Sequence, residues 1–257
     1  MQKSILRYPG GKNRAVKIIC SLIPKDCTEI CSPFLGGGSI EIACANNNVK
    51  VYAYDVFEPL VEFWKCLLRD PHKLSELVKG FHPLPKSTFY ELQKTYSNYT
   101  SKYLRAAIFY VLNRSSFSGT TLSGGMSPGH ERFNQPSIER LANFQLNNFN
   151  VELADFNESI KLHENKLLYL DPPYLIKHKI YGEKGNTHNG FDHDGLSKLI
   201  KKRNNWILSY NDSEEIQIMY GDYYFYYPDW KYGMSQNKKS REVLILSNDI
   251  AKKNGFL

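Results

Sequence analysis

Four consecutive residues, Asp171-Pro172-Pro173-Tyr174, combine a carboxylate, two rings without N–H groups and an aromatic face. They follow Lys166-Leu167-Leu168-Tyr169-Leu170, an apolar run that reads as a buried strand. Proline donates nothing to a sheet ladder, so the strand stops at Asp171. The prolines also hold the chain in an extended path. The sequence thus predicts a rigid corner at the carboxyl end of a strand, where open α/β sheets place ligands. That corner offers the Asp171 carboxylate and the Pro172 carbonyl as acceptors and Tyr174 as a flat surface. Such a set suits an exocyclic amine on a planar ring, with two acceptors for its N–H bonds and a face for stacking. A nucleobase amine fits. A strand-to-loop turn with a helix-capping Asp is the structural alternative.

Three further groups precede it in the chain. In Arg7-Tyr8-Pro9-Gly10-Gly11-Lys12, Gly11 and its neighbour let backbone N–H groups approach a ligand, and Lys12 supplies a cation. A helix is predicted from Arg14 to Leu22. No strand precedes the glycines and Asn13 follows the lysine, so this is not a nucleoside-triphosphate loop. A strand near Thr28–Cys31 runs into Pro33-Phe34-Leu35-Gly36-Gly37-Gly38, with Ser39 as the expected N-cap of a helix from Ile40 to Ala45. Gly36 and Gly38 would let a ligand lie against the turn, and Phe34 would wall the pocket. The pattern is not G-x-G-x-x-G, so a dinucleotide is not favoured. A second strand, Val49 to Tyr54, ends at Asp55, placed to accept both hydroxyls of a ribose or else to cap the next helix. Further on, a strand at Asn150–Leu153 closes with Asp155-Phe156, an acceptor and a face suited to an adenine ring.

These residues need a sheet to bring them together. Strand, turn and helix alternate at both ends of the chain, which predicts an α/β, doubly wound sheet. Residues 57–146 break the alternation with helical patterns such as Leu104-Ala107-Ile108-Val111-Leu112 and no convincing strand. The expected organisation is a catalytic domain from 1–56 and 147–257 interrupted by a helical domain at 57–146. Inside the insert, Asn113 to Met126 and Arg132-Phe133-Asn134 form a long polar, Gly-rich loop. It reads as a DNA contact, with Arg114, Ser118, Thr120, Arg132 and Asn134 on phosphates or base edges and Phe117 as a wedge between bases. A flexible surface loop is the alternative.

Leu175 to Gly190 reads as a lid, and His178, His188 and His193 as surface histidines. A helix from His193 to Lys202 and a strand Trp206–Tyr210 follow, with Asn211 and Asp212 capping a helix Ser213–Tyr220. The tail reads as a hairpin of Tyr223–Pro228 and Glu242–Ser247. Its basic tip, with Lys231, Lys238 and Lys239, would clamp phosphates or remain a solvated turn.

A net charge of +7 favours a polyanionic partner. Five cysteines without C-x-x-C spacing argue against a disulfide scaffold or a zinc site, and no metal is expected. None follows a proline, which argues against a Pro-Cys nucleophile acting on cytosine carbon 5. No apolar run is long enough to span a bilayer. The expected location is intracellular, in cytoplasm or nucleoid or on a virus- or phage-encoded protein, with no membrane partner.

Taken together, Tyr8-Pro9-Gly10-Gly11-Lys12, Pro33-Phe34-Leu35-Gly36-Gly37-Gly38, Asn113-Arg114, Phe133-Asn134-Gln135-Pro136 and Asp171-Pro172-Pro173-Tyr174 resemble, in type and order, the D12 (Dam-like) class of S-adenosylmethionine-dependent DNA adenine-N6 methyltransferases. The resemblance implies a Rossmann-like methyltransferase sheet of seven strands with the last hairpin antiparallel, broken by a helical target-recognition domain. It implies that Tyr8, Lys12, Asp55 and Asp171 line the methyl-donor site, with Asp155 and Phe156 near its adenine. S-Adenosylmethionine is the implied donor and double-stranded DNA the implied partner. A restriction endonuclease acting on the same site is the expected companion in a restriction–modification pair, and a monomer or weak dimer the expected state. Where GATC-specific relatives carry a guanine-reading Arg, this chain has Leu122, which cannot make the bidentate contact. Another short adenine-containing palindrome, such as CATG, is then expected, with Arg114 or Arg132 supplying any guanine contact. The expected chemistry is methyl transfer to N6 of a flipped adenine. Cytosine-N4 methylation, an RNA or protein glutamine methylase, and a DNA-binding module without catalysis are the alternatives.

Overall fold

The computed structural model describes residues 2–127, 132–175, 190–228 and 242–257. The first crossover comprises α1 (Val16–Leu22), β1 (Glu29–Ser32), α2 (Ser39–Asn46) and β2 (Lys50–Asp55). Five helices follow: α3 (Glu58–Arg69), α4 (Pro71–Lys79), α5 (Lys86–Thr95), α6 (Lys102–Ser115) and α7 (Gln135–Ala142). Alternation resumes with β3 (Phe149–Leu153), α8 (Phe156–Leu162), β4 (Leu167–Leu170), α9 (His193–Ile200), β5 (Trp206–Asn211) and α10 (Glu214–Tyr220). The chain closes with β6 (Tyr224–Tyr226), β7 (Glu242–Leu246) and α11 (Asn248–Lys253).

The strands form one seven-stranded sheet in the order β3-β2-β1-β4-β5-β7-β6. All neighbours are parallel except β7, which runs antiparallel to both β5 and β6. This is the expected α/β methyltransferase-like sheet with its antiparallel last hairpin. β4 is wholly apolar and wholly buried, as a strand covered on both faces must be. It pairs with β1, Ile30 opposite Leu167 and Cys31 opposite Leu168. The strand order reverses between these two strands, so their carboxyl ends flank the switch-point crevice. Pro33-Phe34-Leu35 leaves one side of that crevice and Asp171-Pro172-Pro173 the other.

Helix α3 is amphipathic, burying Leu60, Val61, Phe63, Trp64 and Leu67. Trp64 reaches back to the sheet: its ring lies 5.9 Å from Phe149 on β3, and its indole N–H donates to the Gly36 carbonyl (3.3 Å). Helices α3 and α6 are joined by a two-point ion pair, Arg105 Nε and Nη2 to the two Glu62 oxygens at 2.7 Å each. The side chains are only 24% and 9% exposed, so the pair stands largely out of water. Leu122 and Met126 pack on a separate small cluster formed by Phe89, Leu92, Ile108 and Leu112. No described helix is long and apolar enough to cross a membrane.

Several local expectations are corrected. Helix α2 starts at Ser39, and its N-cap is Gly38 at φ 67°; Ser39 Oγ instead donates to Asn13 Oδ1 (3.2 Å). A side chain at Gly38 would meet the Trp64 ring, so packing selects glycine there. Ser213, rather than Asn211 or Asp212, caps α10. Asn211 instead exchanges two 3.1 Å hydrogen bonds with the backbone of Leu175. His193 is half-buried, with Nδ1 bonded to the Tyr210 hydroxyl, so it is not a surface histidine.

Candidate active site

Asp171 stands at the end of β4 with Lys12 beside it, Nζ to Oδ1 at 2.9 Å. Lys12 is 4% exposed and has further partners. It donates to the Tyr174 hydroxyl (2.7 Å) and the Gly10 carbonyl (3.2 Å), and lies 3.6 Å from Glu242 Oε1. The Tyr174 hydroxyl is also 3.1 Å from Ser209 Oγ, and its ring stacks at 26° over Tyr210, centroids 5.9 Å apart. One ammonium therefore faces two carboxylates and orients a phenol. Burial pushes Asp171 and Glu242 above the ordinary carboxylate range, and Lys12 pulls both back toward ionisation. Burial and the nearby Asp171 and Glu242 raise the Tyr174 phenol, so it stays protonated and able to donate. The corner presents an ionisable acceptor and a fixed aromatic plane at the switch point, which suits a neutral amine on a ring.

The other half of the crevice is built on the glycine turn. Tyr8 lies across it: a Cβ on Gly37 would sit 2.9 Å from Tyr8 Cβ, and one on Gly36 3.0 Å from the Tyr8 ring. Glycine is demanded here by the tyrosine as much as by any ligand. Burial, and then the negative charges of Asp55 and Asp171, push the Tyr8 hydroxyl upward. A Cβ on Gly11 would fit tightly, 3.0 Å from the Tyr8 carbonyl. Asp55 ends β2 and braces the turn, Oδ2 accepting from Gly36 N and Oδ1 from Phe57 N, both at 3.0 Å. Burial raises Asp55 against these hydrogen bonds. The Gly36, Phe57 and Val56 N–H groups occupy three of the carboxylate's four acceptor sites, which leaves one for a hydroxyl donor.

Phe34 and Phe156 come together with ring centroids 6.1 Å apart. Asp155, which is exposed, caps α8 by accepting from Glu158 N (2.9 Å), with the rest of its carboxylate at the rim. Phe34, Gly36, Gly38, Asp55, Asp155, Phe156 and Asp171 thus lie at the carboxyl ends of strands or on the segments leaving them, and the N-terminal segment joins them through Tyr8, which packs on Gly36 and Gly37, and Lys12, which meets Asp171, with Gly11 beside it.

The polar loop after α6 is fastened to the same region. Asn113, fully buried, accepts from Arg7 N (2.8 Å) and donates to Arg7 O (2.7 Å) and Thr121 Oγ1 (3.0 Å). Gly119, at φ 76°, passes so close that a Cβ would overlap the Arg7 carbonyl. Phe117 projects, 63% exposed, and Ser118 beside it is exposed while Thr120 is half-buried. Arg114 donates through Nε and Nη2 to the Arg132 carbonyl, and Arg132 is exposed. Burial and the positive neighbours Arg132 and Arg114 lower Arg7. Asn134 caps α7 in a reciprocal pair with Ser137. Lys231, Lys238 and Lys239 lie outside the described residues, as does the expected lid beyond Leu175 up to residue 189.

Sequence reasoning missed Ser209, Glu242, Asn211 and Glu41. Ser209 stands alone in the apolar run Trp206-Ile207-Leu208, and Glu242 opens an otherwise apolar strand; those interruptions were the available signals. Glu41 is buried, accepts from Ser32 Oγ (2.6 Å), and has its pKa pushed up to about 7, chiefly by burial.

Residues 8–234 match the family model for D12 class N6 adenine-specific DNA methyltransferases. Among curated proteins, the chain is similar to the Type II methyltransferase M.CviBI of Paramecium bursaria Chlorella virus NC1A, 22% identical over 86% of this chain and 87% of that one. It is similar to modification methylase LlaI of Lactococcus lactis subsp. lactis (23% identical, 77% of this chain, 34% of the relative). It is also similar to the DNA N-6-adenine-methyltransferase of Escherichia phage P1 (27% identical, 77% of this chain, 28% of the relative). The chain thus spans most of the first relative and about a third of the other two. With the family model covering most of its length, the chain belongs to the D12 class of N6 adenine-specific DNA methyltransferases.

Proposed function

We propose that the protein transfers a methyl group from S-adenosylmethionine to N6 of an adenine rotated out of a short site in duplex DNA. The observation that carries this reading is the Lys12–Asp171–Tyr174 cluster at the end of β4, next to β1, the strand that runs into the glycine turn braced by Asp55. The residues suit the donor: a remaining acceptor site on Asp55 for a hydroxyl, an aromatic wall at Phe34 and Phe156, and an exposed acid on Asp155. When bound, S-adenosylmethionine supplies an electrophilic methyl group. The chain supplies position and polarity. Asp171 and the Pro172 carbonyl accept hydrogen bonds from the two N6 hydrogens, which frees a lone pair otherwise delocalised into the ring, and the one proton that N6 sheds as it gains the methyl group leaves by way of the Asp171 carboxylate. Tyr174, fixed by Lys12, Ser209 and Tyr210, provides the shelf for the flipped base. Alignment and charge placement carry the rate.

Residues 57–146 act as the target-recognition segment. Arg114, Arg132, Ser118, Thr120 and Asn134 touch phosphates or base edges, Phe117 enters a base step, and Lys231, Lys238 and Lys239 clamp the backbone. Leu122 packs toward the Phe89–Leu112 cluster, which supports a target other than GATC. Incubating duplex DNA with donor and protein, then digesting to nucleosides, tests this. N6-methyl-2′-deoxyadenosine is expected; a methylated cytosine, or product from RNA alone, would overturn it.

A further inference from the structure

We propose that Glu242 leaves the reacting end of the crevice with a net negative charge, and that this charge selects the sulfonium donor over its spent, uncharged sulfide. The inference rests on the donor assignment just given and adds a residue which that assignment does not use. Glu242 opens β7, whose other residues, Val243, Leu244, Ile245 and Leu246, are apolar and fully buried. An acid at the head of such a strand is costly unless partners hold it there. Antiparallel pairing sets it opposite Asn211 on β5, and Asn211 in turn holds the Leu175 backbone just past Tyr174. The Glu242 carboxylate lies 3.6 Å from Lys12 Nζ and accepts a hydrogen bond from the Tyr174 hydroxyl. Burial and the nearby Asp171 raise Glu242, and Lys12 and Tyr174 draw it back toward ionisation.

Lys12 already meets Asp171 at 2.9 Å, and that pair by itself is neutral. Glu242 adds a second carboxylate to the same ammonium, so the cluster holds two negative charges and one positive. The Lys12, Glu242 and Asp171 side chains are 4%, 13% and 22% exposed, so water screens the surplus weakly. Among the described residues, Tyr8, Tyr174 and Glu41 also feel Asp171, and none of them brings a positive charge. In-line transfer to an amine held by Asp171 places the donor's sulfonium beside this cluster. The spent sulfide lacks that charge, because the broken S–C bond leaves its electron pair on sulfur, the methyl carbon bonds to N6, and the proton N6 sheds leaves through Asp171. A surplus negative charge therefore attracts the donor and is indifferent to the product. Glu242 acts through Lys12 and is a positioning residue that sets specificity.

The test is calorimetric titration of the full-length protein at pH 8, without DNA, with three ligands. These are S-adenosylmethionine, S-adenosylhomocysteine, and sinefungin, whose amine restores a positive charge near the position of the sulfonium. Glu242→Gln keeps the shape and removes the charge. It is expected to weaken S-adenosylmethionine and sinefungin about fivefold and S-adenosylhomocysteine less than about twofold. Glu242→Asp keeps the charge and is expected to hold the ratio of S-adenosylmethionine to S-adenosylhomocysteine affinity within about twofold of wild type. In a folded Glu242→Gln protein, an unchanged ratio or an equal weakening of all three ligands would overturn the charge role. If melting shows that Glu242→Gln does not fold, Glu242→Asp decides: a kept ratio supports the charge role, and a ratio lowered about fivefold overturns it. Failure of the wild-type protein to bind either adenosyl ligand would instead sink the donor reading itself.

Discussion

Replacing Lys12 by Met removes one buried ammonium from between two carboxylates, and the cost should depend on pH in a defined direction. Asp171 and Glu242 both sit above the usual carboxylate range because they are buried, and Lys12 opposes that rise in each. Without it both move further up. A carboxyl group whose folded-state pKa is raised holds its proton more tightly in the folded chain than in the unfolded one. Its contribution to stability is therefore lost as pH rises from the ordinary carboxylate value through the raised one. Breaking one side of a buried ion pair typically costs about 3–5 kcal/mol. Asp171 keeps 22% exposure, and the Tyr174 and Ser209 hydroxyls stay as donors, so the lower end applies. The expected loss is about 3 kcal/mol at pH 7.5, a fall in Tm of about 6–12 °C. At pH 5, nearer the range in which raised carboxyl groups take up protons, the loss should be smaller. Urea unfolding of wild type and Lys12→Met at both pH values, without donor or DNA, measures this. An equal loss at the two pH values would refute the charge argument.

Glu41→Gln should flatten the decline of stability between about pH 4.5 and 7 and stabilise the protein by up to about 3 kcal/mol at pH 8, read by urea unfolding, because the native carboxyl there ionises only near 7. Glu62→Ala should cost about 3 kcal/mol by leaving the Arg105 charge unpaired in a largely buried site, whereas the double change Glu62→Leu with Arg105→Met should cost less than that single change; thermal melts of wild type and the two variants decide. Gly119→Ala forces a side chain into the Arg7 carbonyl at a positive φ and should cost at least about 2 kcal/mol, measured as a lowered Tm. Arg132→Ala should weaken DNA binding similarly across sequences and reduce the slope of log K against log salt by about 0.9, measured by fluorescence anisotropy.

Much of the sheet was legible because its signals are local. The apolar run at Leu167–Leu170 ends at a proline pair, and Asp55 and Asp155 mark the ends of two further strands, so their placement at one edge follows from parallel pairing. Partnerships across the sheet were not legible. Glu242 meets Lys12 only because β7 folds back antiparallel on β5, with Glu242 opposite Asn211. Asn113 bonds Arg7 across 106 positions, a pairing that no local pattern encodes. Ser39 carries the chemistry of an N-cap, but Trp64 presses on Gly38 and the left-handed glycine takes that place. His193 was misread because its partner, Tyr210, lies on a different element and is buried.

The central claim is that Asp171 accepts hydrogens of the reacting amine. The most direct measurement is the single-turnover rate of N6-methyl-2′-deoxyadenosine formation by Asp171→Ala, with S-adenosylhomocysteine affinity and Tm recorded on the same preparation. The account expects a folded protein whose rate falls at least about a thousandfold, more than any change in donor affinity explains. A folded Asp171→Ala protein that methylates adenine within about tenfold of wild type would contradict it.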